Sequence, residues 1–310
     1  MWKYVLKRIL VLIPTFIFVS FIVFWLMSLS GDPASVIAGM DATAEEIEVL
    51  REAMGLNRSI FVRFGEFMFN LLQGDMGEDI YGNDVWKLFS ERFPNTMILI
   101  VISIIVSTAI ALAAGIFAAL KKGTWWDTIV TVGCLFFNCM PVFWLGMMLQ
   151  TYLAVKTGWL PTSGISKGLL ISLVLPTTAS ALHSMASKCR QTRSAMLDNL
   201  NADFMRTALA KGVRYKTAVY KHALPNASIP IITVIGTAFA TSIGGSVALE
   251  TVFAWPGIGT LIVNGIKASN YPIVCGCVTF TLLLIGVINL LIDVAYAFAD
   301  PRIKARYTGK

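Results

Sequence analysis

The sequence has few charged residues for its length. Only 14% of its 310 residues are Asp, Glu, Lys or Arg, whereas 56% are hydrophobic and the mean hydropathy is +0.71. Soluble domains average about 25% charged and roughly 45–50% apolar residues. The apolar residues also stand in long blocks rather than at amphipathic spacing. This composition excludes an ordinary soluble domain and predicts a protein embedded in a lipid bilayer.

Residues that could carry catalysis or hold a nucleotide are scarce. The two histidines, His183 and His222, have no nucleophile–base arrangement beside them in the sequence. A P-loop needs Gly-x4-Gly-Lys-Ser/Thr, yet the one Gly-Lys pair is Gly309-Lys310 at the end of the sequence. The sequence has no basic patch interleaved with aromatic residues, the pattern that would indicate nucleic-acid binding. We therefore expect no catalytic residue and no cofactor in this chain, so that the energy for any work comes from a partner.

The five cysteines do not indicate a disulfide framework or a metal site. Four stand in apolar blocks and Cys189 stands at the end of one, so none falls in a long polar loop. Cys275 and Cys277 are close in sequence, but residues i and i+2 of a helix point to different faces. We expect buried structural thiols and no metal.

Six apolar blocks are long enough to cross a bilayer as helices, which takes ~20 residues each. The blocks lack the alternation of barrel strands, and lipid offers no water to satisfy an open backbone. The fourth block is short and polar at its end. The first follows basic residues, as in a signal peptide, but has no small-x-small cleavage site after it, so we expect a retained helix. The blocks are about 9–29, 96–120, 128–155, 169–186, 229–249 and 273–299.

Basic residues set the orientation of this six-helix, all-α membrane fold. With both termini in the cytoplasm, 17 of the 25 Lys and Arg residues lie inside, as the positive-inside rule requires. The expected parts are an N-terminal transmembrane helix over 1–30, an acidic extracytoplasmic loop or cap over 31–95, a five-helix core over 96–300 with a cytoplasmic loop at about 188–228, and a cytoplasmic tail over 301–310.

The acidic loop is expected to contain two short helices. Thr43 and Glu46 have the spacing of a capping box, and Gly55 follows where that helix should stop. Apolar residues then recur at helical spacing over 61–71. Two interpretations stay open and are compatible: a cap resting on the membrane, or a docking surface for an external partner.

The cytoplasmic loop is strongly basic and is expected to hold a short helix across the ends of two spans. Asn201 or Asp203 is expected to cap a helix over 204–211, and Gly212 to end it in the left-handed conformation. A basic loop that only enforces orientation is the alternative. Because few such loops contain a well-capped helix, a partner-binding site is favoured.

One motif in this loop resembles a known family. Arg206-Thr207-Ala208, then Gly212, then His222-x-Leu224-Pro225 match, without a gap, the spacing of the E-A-A-x3-G-x9-I-x-L-P loop of ABC importer permeases. Arg206, Thr207 and His222 depart from the consensus, in the manner of the oligopeptide/dipeptide/nickel branch. Further stretches similar to that branch are Lys7-Arg8-Ile9, Gly31-Asp32-Pro33, Gly74-Asp75-Met76-Gly77, Arg92-x-Pro94-Asn95-Thr96, Glu250-Thr251-Val252-Phe253-x-Trp255-Pro256-Gly257-x-Gly259 and Asp300-Pro301-Arg302.

The resemblance implies a type I ABC importer permease fold in a bacterial or archaeal cell (inner) membrane. It implies a second, homologous permease subunit in a heterodimer, two ATPase subunits that hold ATP and Mg²⁺, and an extracytoplasmic substrate-binding protein. The loop would then be the ATPase-coupling segment, and bulky replacement of Gly212 would uncouple ATP hydrolysis from transport. Its residues are Asp203, Arg206, Thr207, Ala208, Lys211, Gly212, His222, Leu224 and Pro225.

The fifth block and the residues after it are the candidate pathway and outer gate. Small and hydroxyl residues permit close helix packing, so a packed interface and a polar lumen are both open. Glu250 is an ionisable group at a membrane boundary, which indicates function. We expect 250–259 to form an external turn that closes the outer mouth, since Pro256 cannot continue a helix. The candidates are Thr241, Ser242, Gly244, Gly245, Ser246, Glu250, Trp255, Pro256 and Gly257.

Two other classes of membrane protein fit less well. An ion-coupled secondary transporter should show intramembrane charges and paired broken helices in repeats, and a membrane enzyme should cluster ionisable residues at one depth. Neither pattern is present in the sequence. Peptides are the commonest cargo in the branch that the sequence resembles, and nickel, metal–chelator complexes, glutathione and opines are the alternatives.

Overall fold

The structure is a computed structural model that describes residues 2–39, 41–166 and 168–299. Within these ranges the secondary structure is helical apart from one antiparallel bridge between Glu78 and Asp84. The predicted tail over 301–310 lies outside the described residues. The helices are α1 Trp2–Ser30, α2 Pro33–Ala38, α3 Ala44–Ala53, α4 Ile60–Leu72, α5 Val85–Leu120, α6 Trp125–Cys139, α7 Val142–Leu149, α8 Leu169–Leu200, α9 Asp203–Ala210, α10 Tyr215–Ala218, α11 Leu224–Val252, α12 Ile258–Lys267 and α13 Tyr271–Ala299.

Five of the described helices, α1, α5, α8, α11 and α13, are long and apolar enough to cross a membrane. The third predicted span is not one helix. It is divided into α6 and α7, which meet at an angle of 98° and count as a sixth span only if the bent pair is taken together. The break falls at Met140, whose backbone is extended, because Pro141 follows it and disfavours the helical conformation there. A π-helical segment, Gln150–Lys156, continues α7.

The fourth predicted span is much longer than its apolar part. Helix α8 continues through Lys188 to Leu200, with residues along its polar half buried against other helices. Lys188 is therefore not in a cytoplasmic loop. The predicted loop over 188–228 is correspondingly shorter, since α10, a π-helical segment Val219–Ala223 and α11 follow one another without a break. Only 201–214 separates the two long helical runs, and α9 occupies most of it.

The described chain divides into two compact units. One unit holds residues 97–255 and 291–299. In it α8 packs against α5, α6 and α11. Helices α5 and α8 approach so closely at Gly115 that a Cβ there would lie 2.7 Å from Thr192 Cβ. Ala111, Cys134 and Met185 lie in the core cluster beside this crossing.

The other unit holds residues 2–96 and 256–290. Its aromatic core joins α1, α4 and α13: Phe24 contacts Phe64, Phe67 and Tyr271 at ring-centroid distances of 5.5–5.6 Å. The apolar residues predicted over 61–71 thus form a helix, α4, that packs along α1. Helix α12, which directly follows the predicted external turn, was not foreseen.

The predicted cap of α3 is confirmed. Thr43 N–H donates to Glu46 Oε2 at 2.8 Å, and Glu46 N–H donates to Thr43 Oγ1 at 3.3 Å. Backbone and then side-chain hydrogen bonds from Thr43 hold the pKa of the Glu46 carboxyl below its usual value. Arg51, near the end of this helix, pairs with Asp32 at 2.6 Å, and that hydrogen bond raises the pKa of Arg51. These contacts tie α3 to the start of α2.

Candidate functional site

The short helix α9 lies on the bundle through one face. Met205 is 1% exposed and belongs to a core cluster with Met196, Ala218 and Val219. This cluster joins α9 to the end of α8 and to the run that leads into α11. A displacement of α9 would therefore move Met205 against both long helices.

The end of α9 has the hydrogen bonds of a Schellman motif. Gly212 N–H donates to Leu209 O at 2.9 Å and Val213 N–H donates to Ala208 O at 3.2 Å, with Gly212 at a φ of +81°. The predicted left-handed stop is confirmed. Apart from the adjacent residues 211 and 213, no atom of the described residues lies within 4 Å of where a Gly212 Cβ would stand. The backbone conformation, and not the lack of space, is what favours glycine at this position.

The start of α9 is not capped as predicted. Ala202 occupies the N-cap position and no side chain there accepts a backbone hydrogen bond. Asp203 is instead the first helical residue, where its negative charge interacts favourably with the positive end of the helix dipole. It stands 3.8 Å from Arg206 Nη1, a contact between two highly exposed side chains that adds little stability.

The opposite face of α9 is exposed and basic. The side chain of Arg206 is 80% exposed, and Thr207 and Lys211 are also exposed. Phe204 and Leu209 add apolar surface, 40% and 41% exposed. Of the predicted coupling residues in α9, only Ala208 is buried. The face of α9 that points away from the bundle is therefore a mixed apolar and cationic surface.

The second half of the predicted coupling motif is helical and not a loop. His222 lies in the π-helical segment Val219–Ala223, and Leu224 begins α11 with Pro225 in its first turn. Pro225 has no backbone N–H to donate. Just before it, the backbone hydrogen bonds have the π-helical spacing, since Leu224 N–H donates to Val219 O, five residues back. Pro225 is exposed, whereas His222 and Leu224 are half-buried.

A cavity of about 440 Å³ lies within residues 97–255, among α5, α6, α7, α8 and α11. Four of the predicted pathway residues line it: Thr241, Ser242, Gly245 and Ser246. Gly244 is exposed but is not among the lining residues. The lining is rich in hydroxyl groups, which suits a polar lumen better than a packed interface.

Part of the cavity wall comes from α8, a helix that was not predicted to line the pathway. Ser180, His183, Ser184 and Ser187 all line it. His183 Nδ1 donates to Met140 O at 3.1 Å, at the break between α6 and α7. The signal was in the sequence: serines at 180, 184 and 187 repeat at helical spacing. The polar end of the fourth span is polar because it faces this cavity.

The predicted outer turn is divided differently from expectation. Glu250 lies in the last turn of α11 and is fully buried, so the turn begins at Phe253 and not at Glu250. Trp255 is also fully buried, in a cluster with Leu99 and Leu173. Neither Glu250 nor Trp255 lines the cavity.

The rest of the turn belongs to the other unit. Gly257 is buried and Pro256 half-buried. Pro256 O accepts a hydrogen bond from Asn95 Nδ2 at 2.8 Å. Ile258 N–H, at the start of α12, donates to Thr96 Oγ1 at 2.8 Å. The turn is thus held to the segment around Asn95, part of the Arg92-x-Pro94-Asn95-Thr96 stretch noted in the sequence.

An ion pair joins α6 to α8. Arg193 donates from Nε to Asp127 Oδ1 at 2.6 Å and from Nη2 to Asp127 Oδ2 at 2.7 Å, and Gly123 N–H also donates to Oδ2. The Asp127 side chain is 9% exposed. Such a two-point contact fixes the orientation as well as the distance of its partners.

Comparison with known proteins decides the family. Residues 111–305 match the family described as binding-protein-dependent transport system inner membrane component, and residues 1–100 match its N-terminal region. The chain belongs to this family. The resemblance inferred from the segment Arg206 to Pro225 is confirmed, and the permease is a multi-pass inner-membrane protein and not a catalytic subunit.

Curated relatives cover the permease from end to end. The probable peptide ABC transporter permease protein y4tP of Sinorhizobium fredii (strain NBRC 101917 / NGR234) is 38% identical over 98% of this chain and 100% of its own length. The glutathione transport system permease protein GsiC of Escherichia coli (strain K12) is 38% identical over 98% of this chain and 99% of its own length. The permease is thus an ABC transporter subunit.

Solved structures agree on the fold. An inward-facing structure of the MetNI methionine ABC transporter matches with a TM-score of 0.59 at 16% identity, over 69% of this chain and 96% of that chain. A crystal structure of an amino acid ABC transporter with histidines matches with a TM-score of 0.51 at 14% identity, over 68% and 93% of the two chains. The expected type I importer permease fold is confirmed.

Proposed function

We propose that the permease forms half of an ATP-driven import pathway for di- or oligopeptides. An extracytoplasmic binding protein delivers the peptide, a second homologous permease subunit supplies the other half, and two ATPase subunits bind ATP and Mg²⁺. The relative in Sinorhizobium fredii, described as a probable peptide permease, supports the cargo. The GsiC relatives make glutathione, itself a tripeptide, the second candidate.

The observation that carries this proposal is the two-sided character of α9. Its inner face is anchored by Met205 in a cluster that also contains residues of α8 and of the run into α11. Its outer face presents Arg206 and Lys211 around apolar Phe204 and Leu209. This surface fits an acidic groove with an apolar floor on an ATPase subunit.

The same geometry explains how an ATPase movement could reach the cavity. Helices α8 and α11 both line the cavity, and both contact α9 at their other ends through the cluster around Met205. A shift of α9 would therefore tilt two cavity walls together. In the proposed cycle, ATP binding opens the pathway outwards and hydrolysis resets it.

Site-directed crosslinking tests the ATPase contact. Arg206→Cys, in a background where the exposed Cys139 is serine, should form a crosslink to the ATPase subunit in membranes that contain the whole transporter. The matched control is Arg58→Cys, an exposed arginine in the external region, which should give none. A crosslink from Arg58→Cys and none from Arg206→Cys would reverse the proposed orientation.

Transport measurements test the cargo. Proteoliposomes containing the permease pair and the ATPases should take up trialanine only with ATP, Mg²⁺ and loaded binding protein. ATP-dependent uptake of glutathione without uptake of trialanine would move the assignment to the second candidate. Uptake indifferent to ATP would contradict the proposal altogether.

A further inference from the structure

One lysine is buried beside the cavity, and its hydrogen bonds among the described side chains go to hydroxyl groups. Lys188, on α8, is 2% exposed. Its ammonium donates to Ser107 Oγ, on α5, and lies 3.5 Å from Ser184 Oγ, one turn back on α8. A buried ammonium costs several kcal/mol unless it is paired. Residues of this kind in membrane helices are functional candidates.

The side chains that the structure describes form no ion pair with Lys188. The carboxylate in the same region, Asp127, is already bound at two points by Arg193. From α5, Ser107 contacts the ammonium. The acidic residue of α11 is Glu250, in its last turn, which is buried and does not line the cavity. Among the side chains that the structure describes, the Lys188 ammonium therefore contacts hydroxyl groups.

The charge is adjacent to the cavity. Ser184, which is in contact with the ammonium, lines the cavity, and so does Ser187, the residue before Lys188. A serine hydroxyl has one proton and two lone pairs. Ser184 Oγ can thus accept from the ammonium and donate its own proton to an anion in the cavity.

We propose that Lys188, with Ser184, makes this end of the cavity a binding site for the carboxylate of the transported molecule. The inference rests on the proposed function, because a peptide has a C-terminal carboxylate and glutathione has two. A bound carboxylate would supply a counter-charge to the Lys188 ammonium. A cargo without an anionic group would lose this interaction.

Charged thiol reagents measure the field in the cavity without any cargo. In the Cys139→Ser background, Ser187→Cys should react with the anionic sulfonatoethyl methanethiosulfonate faster than with its trimethylammonioethyl analogue. After normalisation to a small thiol in solution, the preference should be about tenfold or more. Lys188→Met should abolish it. Ser180 lies about 12 Å from Lys188 along α8, so Ser180→Cys should show a weaker preference for the anionic reagent.

The control variant is Arg190→Met, which removes an exposed cation two residues away. It should change the reagent preference at Ser187→Cys by less than about twofold. A preference that survives Lys188→Met, or that Arg190→Met removes equally, would overturn the proposal. If Lys188→Met does not assemble, Lys188→Gln, which keeps hydrogen-bonding capacity without charge, replaces it under the same criteria.

Uptake then tests the cargo carboxylate. With saturating loaded binding protein, the wild-type ratio of trialanine to trialanine amide uptake should fall at least about tenfold in Lys188→Met, and Lys188→Arg should restore part of it. A ratio unchanged in Lys188→Met would overturn the proposal. Failure of the proposed function would appear differently, as loss of ATP dependence in the wild type, while the thiol measurement needs neither ATP nor cargo.

Discussion

Replacing Gly212 separates two explanations of why a glycine stands after α9. From the sequence, we expect bulky residues to be harmful there. Beyond the adjacent residues, no atom of the described chain lies within 4 Å of a Gly212 Cβ position, whereas φ is +81°. Bulk should therefore matter little and the presence of any Cβ should matter most. Gly212→Ala and Gly212→Leu are expected to be about equally harmful.

The expected magnitude follows from the backbone. A non-glycine residue in the left-handed region costs roughly 1–2 kcal/mol, which is a factor of about 5–30 in an equilibrium. Gly212→Asn should cost less, because asparagine tolerates this region. The strain falls on the Schellman hydrogen bonds from Gly212 and Val213, so the end of α9 should fray.

The assay is the ratio of peptide imported to ATP hydrolysed in proteoliposomes holding the whole transporter. We expect Gly212→Ala and Gly212→Leu to lower this ratio by similar factors, about 5–30, and Gly212→Asn to lower it less. Membrane insertion should be normal in all three, because the change lies outside the spans.

Gly123 provides the matched control. It has a φ of +76°, has no atom within 4 Å of its Cβ position, and lies before α6 rather than after α9. Gly123→Ala should strain its own turn by the same amount and leave the coupling ratio unchanged. A coupling loss that grows steadily from alanine to leucine, or one shared by Gly123→Ala, would refute the reasoning.

Three further predictions concern packing, charge and pH. Met205→Ala should lower the Tm of the purified permease, since removing a buried methionine costs roughly 2–5 kcal/mol. Leu209→Ala, on the exposed face of α9, should leave the Tm unchanged. Equal Tm shifts in the two variants would contradict the assignment of a buried and an exposed face to α9. In a double-mutant cycle of Asp127→Asn and Arg193→Met, the coupling energy of unfolding should be about 1–3 kcal/mol, and additivity would show that the pair contributes nothing. Because the hydrogen bonds from Thr43 depress the pKa of Glu46, the cap stabilises α3 above the unfolded pKa of about 4.5 and this is lost as pH falls through the lower folded pKa. The hydrogen-exchange protection of α3, corrected for intrinsic exchange rates, should therefore fall over this acidic pH range. In Thr43→Ala the protection of α3 should be lower at pH 7 and should change less with pH. The same pH dependence in the wild type and in Thr43→Ala would contradict the role of the cap.

Features set by local chemistry could be predicted from the sequence. The capping box of Thr43 and Glu46, the stop at Gly212 and the apolar spans depend on neighbouring residues. The structure has the box, the stop and five of the six spans as single helices. The motif from Arg206 to Pro225 identified the family because the family is recognised by the spacing of these residues along the chain. The predicted cap of α9 is wrong, since Ala202 occupies the N-cap position and not Asn201 or Asp203.

Features set by tertiary contacts could not be predicted. The length of the span beginning at Leu169 was underestimated because hydropathy scores a polar residue as exposed, while Lys188 is buried among hydroxyl groups. The bend at Pro141 was missed because the apolar run continues across it, and His183 satisfies the carbonyl at the break. Glu250 was placed in a turn, yet its helix continues beyond it.

ATP-driven uptake by the reconstituted transporter tests the central claim most directly. The permease, its partner permease and the two ATPases are placed in liposomes with loaded binding protein outside and ATP and Mg²⁺ inside. The account predicts accumulation of labelled trialanine that stops when ATP is replaced by a non-hydrolysable analogue. Accumulation that follows an imposed ion gradient and ignores the nucleotide would contradict it.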